Sequence, residues 1–335
     1  MQKFKERISE VREKYNATGH KHHLTRMRNI RLKFGTRIKG ADKNASPPEK
    51  IAVPNPFPEI KNAIPEIAYS ELTPEVLAGA IQHHGALIIR NFLKPKDTAV
   101  LRQGIDETFE ESKKFFSGKG QPPKDDPIWK SQWFRPDLPV PGYFKIGAVN
   151  MMLNTGSVWT FLSPTVSHQL LEIFQKAKLK NFLRNYFGGK PCVSFNKSVL
   201  RRMDPIQSPA DWHQDGAFMT TAIKSINLWV ALSDCGPETD SPGMDFIPKR
   251  FDEIVKTGQE DARFDWSVSP NSVKKWFKDT PVVSPEFKDG DAIFFDHYNL
   301  HATSFSPKFT RTRYAIETWF FPEEFAAKNQ YPIAW

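Results

Sequence analysis

Apolar and polar positions alternate in two ways along this chain, and the change comes near residue 190. Before it, helical repeats dominate. Phe4, Ile8, Val11 and Tyr15 recur at spacings of four, three and four, one face of a 3.6-residue repeat, and predict a helix over 2–16. Thr73 before Pro74 predicts a capped helix start, with Gly85 closing that helix after His84. Ala86-Leu87-Ile88-Ile89 reads as a buried strand, an amphipathic helix follows over roughly 96–115, and 162–187 reads as mostly helical. After Pro191, residues 193–202, 225–232, 244–247, 292–295 and 313–321 read as strands punctuated by Gly, Pro, Asp and Asn. Strands that follow helices, with turns rather than helices between them, predict an α+β protein. The expected architecture is an antiparallel sandwich or jelly roll carrying N-terminal helices on one face.

With 39% apolar residues in 335, the chain can bury a full core, which excludes wholesale disorder. The net charge of +9 is local. Residues 1–50 hold 14 Lys/Arg against 5 Asp/Glu, and the remaining 285 hold 33 of each. A basic coat over the whole surface is therefore excluded, which argues against a nucleic-acid partner. The basic arm reads as a solvated segment whose apolar stripe packs on the body or on another subunit, or as a grip on an anionic partner. His20, His22 and His23 cluster there without Cys or carboxylate at ligand spacing. Pro47, Pro48, Pro54, Pro56 and Pro58 mark a semi-rigid linker. Residues 121–141 carry six prolines with Trp129 and Trp133, and read equally as a lid or a packed connector. Two cysteines, Cys192 and Cys235, make no disulfide framework and fit a reducing compartment. No uncharged stretch is apolar enough to span a bilayer, and no secretory core is present. Glu6, Glu10 and Glu13 argue against a transit peptide, so the expected location is cytoplasmic.

The chemistry concentrates in Asp211-Trp212-His213-Gln214-Asp215. In extended chain His213 and Asp215 share a face, with Gln214 turned aside. One imidazole and one carboxylate make two thirds of the 2-His-1-carboxylate triad of non-haem Fe(II), although such a pair alone also reads as an ordinary surface hydrogen bond. Further on, Gly290-Asp291 makes a turn, Ala292-Ile293-Phe294-Phe295 a short strand, and His301 follows at its far end. His297, four residues earlier, is a rival third ligand. Arg311 and Arg313 come next; a guanidinium there can clamp a carboxylate through two parallel hydrogen bonds. The sequence contains no Gly-x-Ser-x-Gly elbow, dinucleotide loop, P-loop or paired Cys-x-x-Cys site.

In this order these residues resemble the phytanoyl-CoA dioxygenase family of Fe(II)/2-oxoglutarate oxygenases. Residues 225–234 resemble the family's strand after the metal motif, 241–248 its next strand and turn, and 72–111 its opening helix, strand and helix. The resemblance covers roughly 65–322. The chain departs from the family at Pro248-Lys249-Arg250-Phe251, where Pro-Gly-Ser-His is usual, and in the twelve-residue step from His301 to Arg313. The resemblance implies a double-stranded β-helix, a cupin-like jelly roll. It implies His213, Asp215 and His301 as the catalytic Fe(II) ligands. Arg313, followed by an alanine two residues on, is favoured over Arg311 for the distal carboxylate of 2-oxoglutarate. Cosubstrate contacts are expected from Thr303, Asn196, Ser198 and Trp229, although the last three also read as strand-pairing or core residues. The implied reaction consumes O2 and 2-oxoglutarate, yields succinate and CO2, and hydroxylates an unactivated C–H bond of a small-molecule substrate. Asp215 stands where related halogenases carry a small residue, which implies hydroxylation or a related oxidation rather than halogenation. Two rival readings are an oxygenase acting on a macromolecule docked by the basic arm, and a non-catalytic binding module on the same scaffold. The expected division is a basic arm and linker over 1–58 and one oxygenase domain over 59–335. That domain comprises a helical part 59–190, a metal-binding jelly roll 191–322 and a tail 323–335.

Overall fold

The structure, a computed structural model, describes residues 2–40, 52–118, 120–140, 142–205, 211–219 and 223–335. The linker residues Pro47 and Pro48 and the loop residues Pro141, 206–210 and 220–222 lie outside the described residues. Helices α1 (Gln2–Thr18) and α2 (His22–Gly35) open the chain, followed by β1 (Glu66–Ala68), α3 (Pro74–His84), β2 (Ala86–Arg90) and α4 (Pro95–Phe115). Next come α5 (Ile146–Asn154), β3 (Ser157–Trp159), α6 (Pro164–Lys176) and α7 (Leu179–Phe187). The strand-rich part holds β4 (Pro191–Met203), α8 (Gly216–Met219), β5 (Ile226–Ala231), β6 (Met244–Phe246), α9 (Pro270–Trp276), β7 (Ala292–Phe295), β8 (His301–Thr303), β9 (Arg313–Pro322) and β10 (Pro332–Ile333).

The predicted helix starts are capped as expected: Thr73 Oγ1 accepts from the Val76 amide, and Gly85 closes α3 at φ +79°. The region expected as mostly helical over 162–187 holds two helices, divided where Lys178 adopts a left-handed φ of +56° between α6 and α7.

The large sheet runs β1-β2-β7-β5-β9-β4-β10, with β3 on the far part of β4. All its pairings are antiparallel except β1 with β2. A smaller sheet faces it. It consists of β6 paired with β8, extended by single bridges between Trp212 and Val268, His213 and His301, and Phe246 and Val283. Two antiparallel layers with helices outside the larger one confirm the α+β jelly roll.

Pleat alternation sorts the large sheet into two faces. On β4 and β9, Leu200, Arg202, Tyr314, Ile316 and Phe320 face the helices: Arg202 pairs with Asp106 and Glu110 of α4, Tyr314 Oη donates to Asp106, and Phe320 meets Phe174 of α6. The alternate positions Val199, Arg201, Met203, Arg313, Ala315, Glu317 and Trp319 face the space between the sheets.

The basic arm is folded onto the body rather than extended. Phe4, Ile8 and Val11 of α1 form a small core with Leu24, Met27 and Phe34 of α2 and Ala334. Two of its arginines are buried. Arg28 donates to the carbonyls of Arg135 (2.7 Å) and Asp137 (3.3 Å), and Arg31 to that of Ala334 (3.2 Å). Carbonyls at chain turns thus take cations that composition would assign to solvent. Arg28 also ties down the proline-rich segment, whose Trp129 and Phe134 are buried against Phe115. In its described residues the segment is a packed connector, and it lines a cavity of about 290 Å³ with Tyr143 and Phe144.

Candidate metal centre

His213 sits on the smaller sheet through two backbone bonds with His301, which fix the two ligand segments side by side. Gln214 turns the other way, donating to the Tyr298 carbonyl (2.7 Å) and accepting from the Val255 amide (2.8 Å). Asp215 therefore returns to the face of His213. Gly216 follows where a Cβ would meet the Ile254 side chain at 2.6 Å and the His297 carbonyl at 3.0 Å, so a larger residue would have to displace its neighbours for the chain to turn this close. On the other segment, the Gly290-Asp291 turn is built as expected. Gly290 has φ +96°, and the Asp291 carboxylate accepts from the Asn91 amide (2.9 Å) and pairs with Arg90 (2.6 Å).

One ligand atom from each of His213, Asp215 and His301 lies within 4.8 Å of the others. The imidazole centroids are 4.3 Å apart, and His301 Nε2 is 3.9 Å from Asp215 Oδ2. The donor set fits a divalent metal. His301 Nδ1 lies 3.2 Å from the Asn299 carbonyl, a partner that can only accept, so the proton sits on Nδ1 and Nε2 keeps its lone pair for a metal. Burial, with the second imidazole beside it, lowers the His213 pKa to about 3, so this ring too is neutral and can donate a lone pair. Asp215 is 1% exposed; its Oδ1 faces the Lys197 ammonium at 2.6 Å, and its Oδ2 has no hydrogen-bond partner among the described residues. The rival ligand His297 is not part of this group: its Nδ1 meets Ser225 Oγ at 2.8 Å.

Arg311 and Arg313 differ in position. Arg311 is at the surface, paired with Asp240 (2.7 Å). Arg313 is 2% exposed between the sheets, donating to the carbonyl of Gly243 (2.7 Å), with its Nε unpartnered and its guanidinium 5.6 Å from the Trp229 ring. Burial lowers its pKa to about 10 against the opposing pull of Glu317, so it stays charged at neutral pH, with no carboxylate paired to it among the described residues. A buried cation in that state is costly unless an anion joins it. Trp229 forms the wall beside it, edge-on to Phe287. Thr303 lies two residues along β8 from His301 and is half-buried, next to Met244, which follows Gly243.

Asn196 and Ser198 do not join the group. A bulge between Val193 and Ser198 shifts the register of β4. Ser198 Oγ donates to the Ser194 carbonyl (2.6 Å), and Asn196 Nδ2 to the Tyr143 carbonyl (3.2 Å). The expectation that these two face the site is corrected: the residue between them does so. Lys197 Nζ lies 2.6 Å from Asp215 Oδ1 and 4.2 Å from the Phe218 ring centre. The signal was present in the strand's alternation, since Lys197 falls in phase with Val199 and Arg201, but the bulge hid where that phase begins. Glu317, also missed, is buried beside Trp229 in register. It pairs with Arg201 and accepts from Trp319 Nε1 (3.1 Å); burial pushes its carboxyl up, and Arg201 and Lys197 outweigh that and hold it ionised.

The family model for phytanoyl-CoA dioxygenase (PhyH) matches residues 81–311, more than half of the chain, and the chain belongs to that family. Among solved structures, EctD from S. alaskensis, determined with 2-oxoglutarate and 5-hydroxyectoine, aligns at TM-score 0.50 and 13% identity over 84% of this chain and 87% of that one. The non-heme alpha-ketoglutarate-dependent carbocyclase SnoK from nogalamycin biosynthesis aligns at 0.49 and 13%, covering 79% and 91%. AviO1 from Streptomyces viridochromogenes Tue57 aligns at 0.43 and 17%, covering 72% and 91%. At 13% identity the likeness to EctD speaks for the fold alone. No curated protein matches the chain significantly. Among the described residues no helix is long and apolar enough to cross a membrane.

Proposed function

We propose that this protein is an Fe(II)/2-oxoglutarate-dependent dioxygenase that hydroxylates a C–H bond of a small organic substrate while 2-oxoglutarate becomes succinate and CO2. The observation that carries this reading is the convergence of His213, Asp215 and His301, together with the buried Arg313 guanidinium that no carboxylate pairs with among the described residues. Iron held there would supply oxygen activation. The chain's residues do the rest. His301 is held in one tautomer by Asn299, Asp215 offsets metal charge, and Arg313 orients the distal carboxylate of the cosubstrate. The Trp229 and Trp319 walls exclude water. The domain for this chemistry is residues 59–335, with α1 and α2 as a helical buttress against it, and a cytoplasmic location suits its two free, buried cysteines.

The test is anaerobic titration of the protein with Fe(II) and 2-oxoglutarate, followed by exposure to O2. A visible charge-transfer band and then succinate are expected. No band at saturating cosubstrate refutes the proposal.

A further inference from the structure

The mouth of the site carries features that the triad and Arg313 do not use. Phe264 and Trp266 are two of the few large apolar side chains exposed among the described residues, at 53% and 36%. They are not loose. Their rings stack at 4.9 Å with planes 3° apart, and Trp266 stands edge-on to Phe218 (5.5 Å) and to the metal-side ring of His213 (5.7 Å). The turn that presents them is pinned from beneath. Asp211 Oδ2 accepts from the Arg263 amide (2.5 Å) and Ser267 Oγ (2.6 Å), and Trp212 and Val268 exchange backbone hydrogen bonds. An ordered aromatic wall left open to solvent beside a reactive centre is a platform for a flat or apolar ligand.

Lys197 stands at the edge of that wall, between Phe218 and Asp215, with 17% of its side chain exposed. An ammonium carries three donors, and Asp215 faces one of them. Charge balance points the same way. With ferrous iron and doubly charged 2-oxoglutarate, Asp215 and Arg313 complete a neutral set, and Arg201 cancels Glu317. Lys197 is the charge left over, in a partly dehydrated place where an uncompensated cation is unfavourable.

We propose that the site takes a small organic monoanion with a flat apolar body, its carboxylate on Lys197 and its body on Phe218 and Trp266. This rests on reading the triad as an iron centre, and it makes Lys197 and Trp266 specificity-determining residues.

Matched probes test it by ligand-observed NMR titration, anaerobically, with Fe(II) and 2-oxoglutarate present throughout so that Arg313 is filled. Phenylacetate is compared with phenylacetamide, and hexanoate with hexanamide. In the wild-type protein phenylacetate should bind about tenfold or more tighter than its amide, the effect of one charge-assisted hydrogen bond. It should also bind tighter than hexanoate. Lys197→Met should abolish the preference for acid over amide, and Trp266→Ala should weaken phenylacetate and phenylacetamide by the same factor. Equal binding of acid and amide to the wild-type protein overturns the proposal, and that comparison needs no variant to fold. An acid preference that survives K197M overturns it as well. The charge-transfer band recorded in the same samples reports the iron-centre reading separately: its absence sinks that reading, whereas a band without acid preference sinks only this one.

Discussion

Replacing Arg313 with methionine should act in opposite directions on the free and the cosubstrate-loaded protein. In the free protein the guanidinium is buried against carbonyls and an indole, with Nε unpartnered and no carboxylate paired to it among the described residues. Exchanging a buried lone cation for an apolar side chain is neutral or stabilising, so R313M should melt at or above the wild-type temperature. With 2-oxoglutarate the sign reverses. Removing one partner of a buried ion pair costs about 3–5 kcal/mol, which is roughly two to three and a half powers of ten in Kd. At a cosubstrate concentration a hundredfold above the wild-type Kd, binding stabilises the wild-type protein by about 2.7 kcal/mol and the variant by at most about 0.4 kcal/mol. An unfolding entropy of ~2.1 cal/mol/K per residue over 335 residues turns the first figure into a melting shift of about 4 °C and the second into less than about 1 °C. Differential scanning fluorimetry with anaerobic Fe(II), with and without 2-oxoglutarate, reads both. A variant whose melting temperature still rises by the wild-type amount refutes the assignment of Arg313 as the carboxylate clamp.

Two further outcomes follow from the same geometry. His301→Ala should lose more than the about 10–100-fold in iron affinity that even outer partners of a metal ligand cost, whereas His297→Ala should keep wild-type iron content by elemental analysis; the reverse pattern would move the third ligand to His297. His168 of α6 stacks edge-on against Tyr15 of α1 at 5.4 Å, and burial, together with Arg31, Arg12 and Lys21, lowers its pKa to about 4 against the opposing pull of Glu172. Its folded pKa lies below the ordinary 6.5, so the unfolded chain binds more protons in between, and stability should fall as pH drops from about 6.5 towards 4. Urea midpoints across that window should show a shallower slope for His168→Gln; an unchanged slope would place the sensitivity elsewhere.

Local signals carried much of the fold. Periodicity located α3, α4, β2, β4, β5, β7 and β9 to within a few residues, because each is fixed by its own apolar pattern. The helix α2 was not legible: its arginines read as a solvated run, and only the carbonyls of Arg135, Asp137 and Ala334, 107 to 303 residues away, show why Arg28 and Arg31 are buried. The short strands β1, β3, β8 and β10 exist through their partners rather than through any repeat of their own. At the site, the His213-x-Asp215 spacing and the Gly290-Asp291 turn are local and were readable. Lys197 was not, because a single bulge decides whether it or its neighbours Asn196 and Ser198 turn inward. Nor was Trp266, which reaches His213 through a backbone bridge between segments more than fifty residues apart.

The two walls of the barrel are laced unequally. The large sheet is a continuous ladder, whereas the segments bearing His213 and His301 are joined to their neighbours by one three-residue pairing and isolated bridges. Amide protons on that thinner wall are the ones exposed by partial opening, long before the global transition. Metal affinity and the ordering of that wall are therefore one equilibrium. Any substitution that frays the pairing of Met244–Phe246 with His301–Thr303 is felt as weaker iron binding, although it touches no ligand.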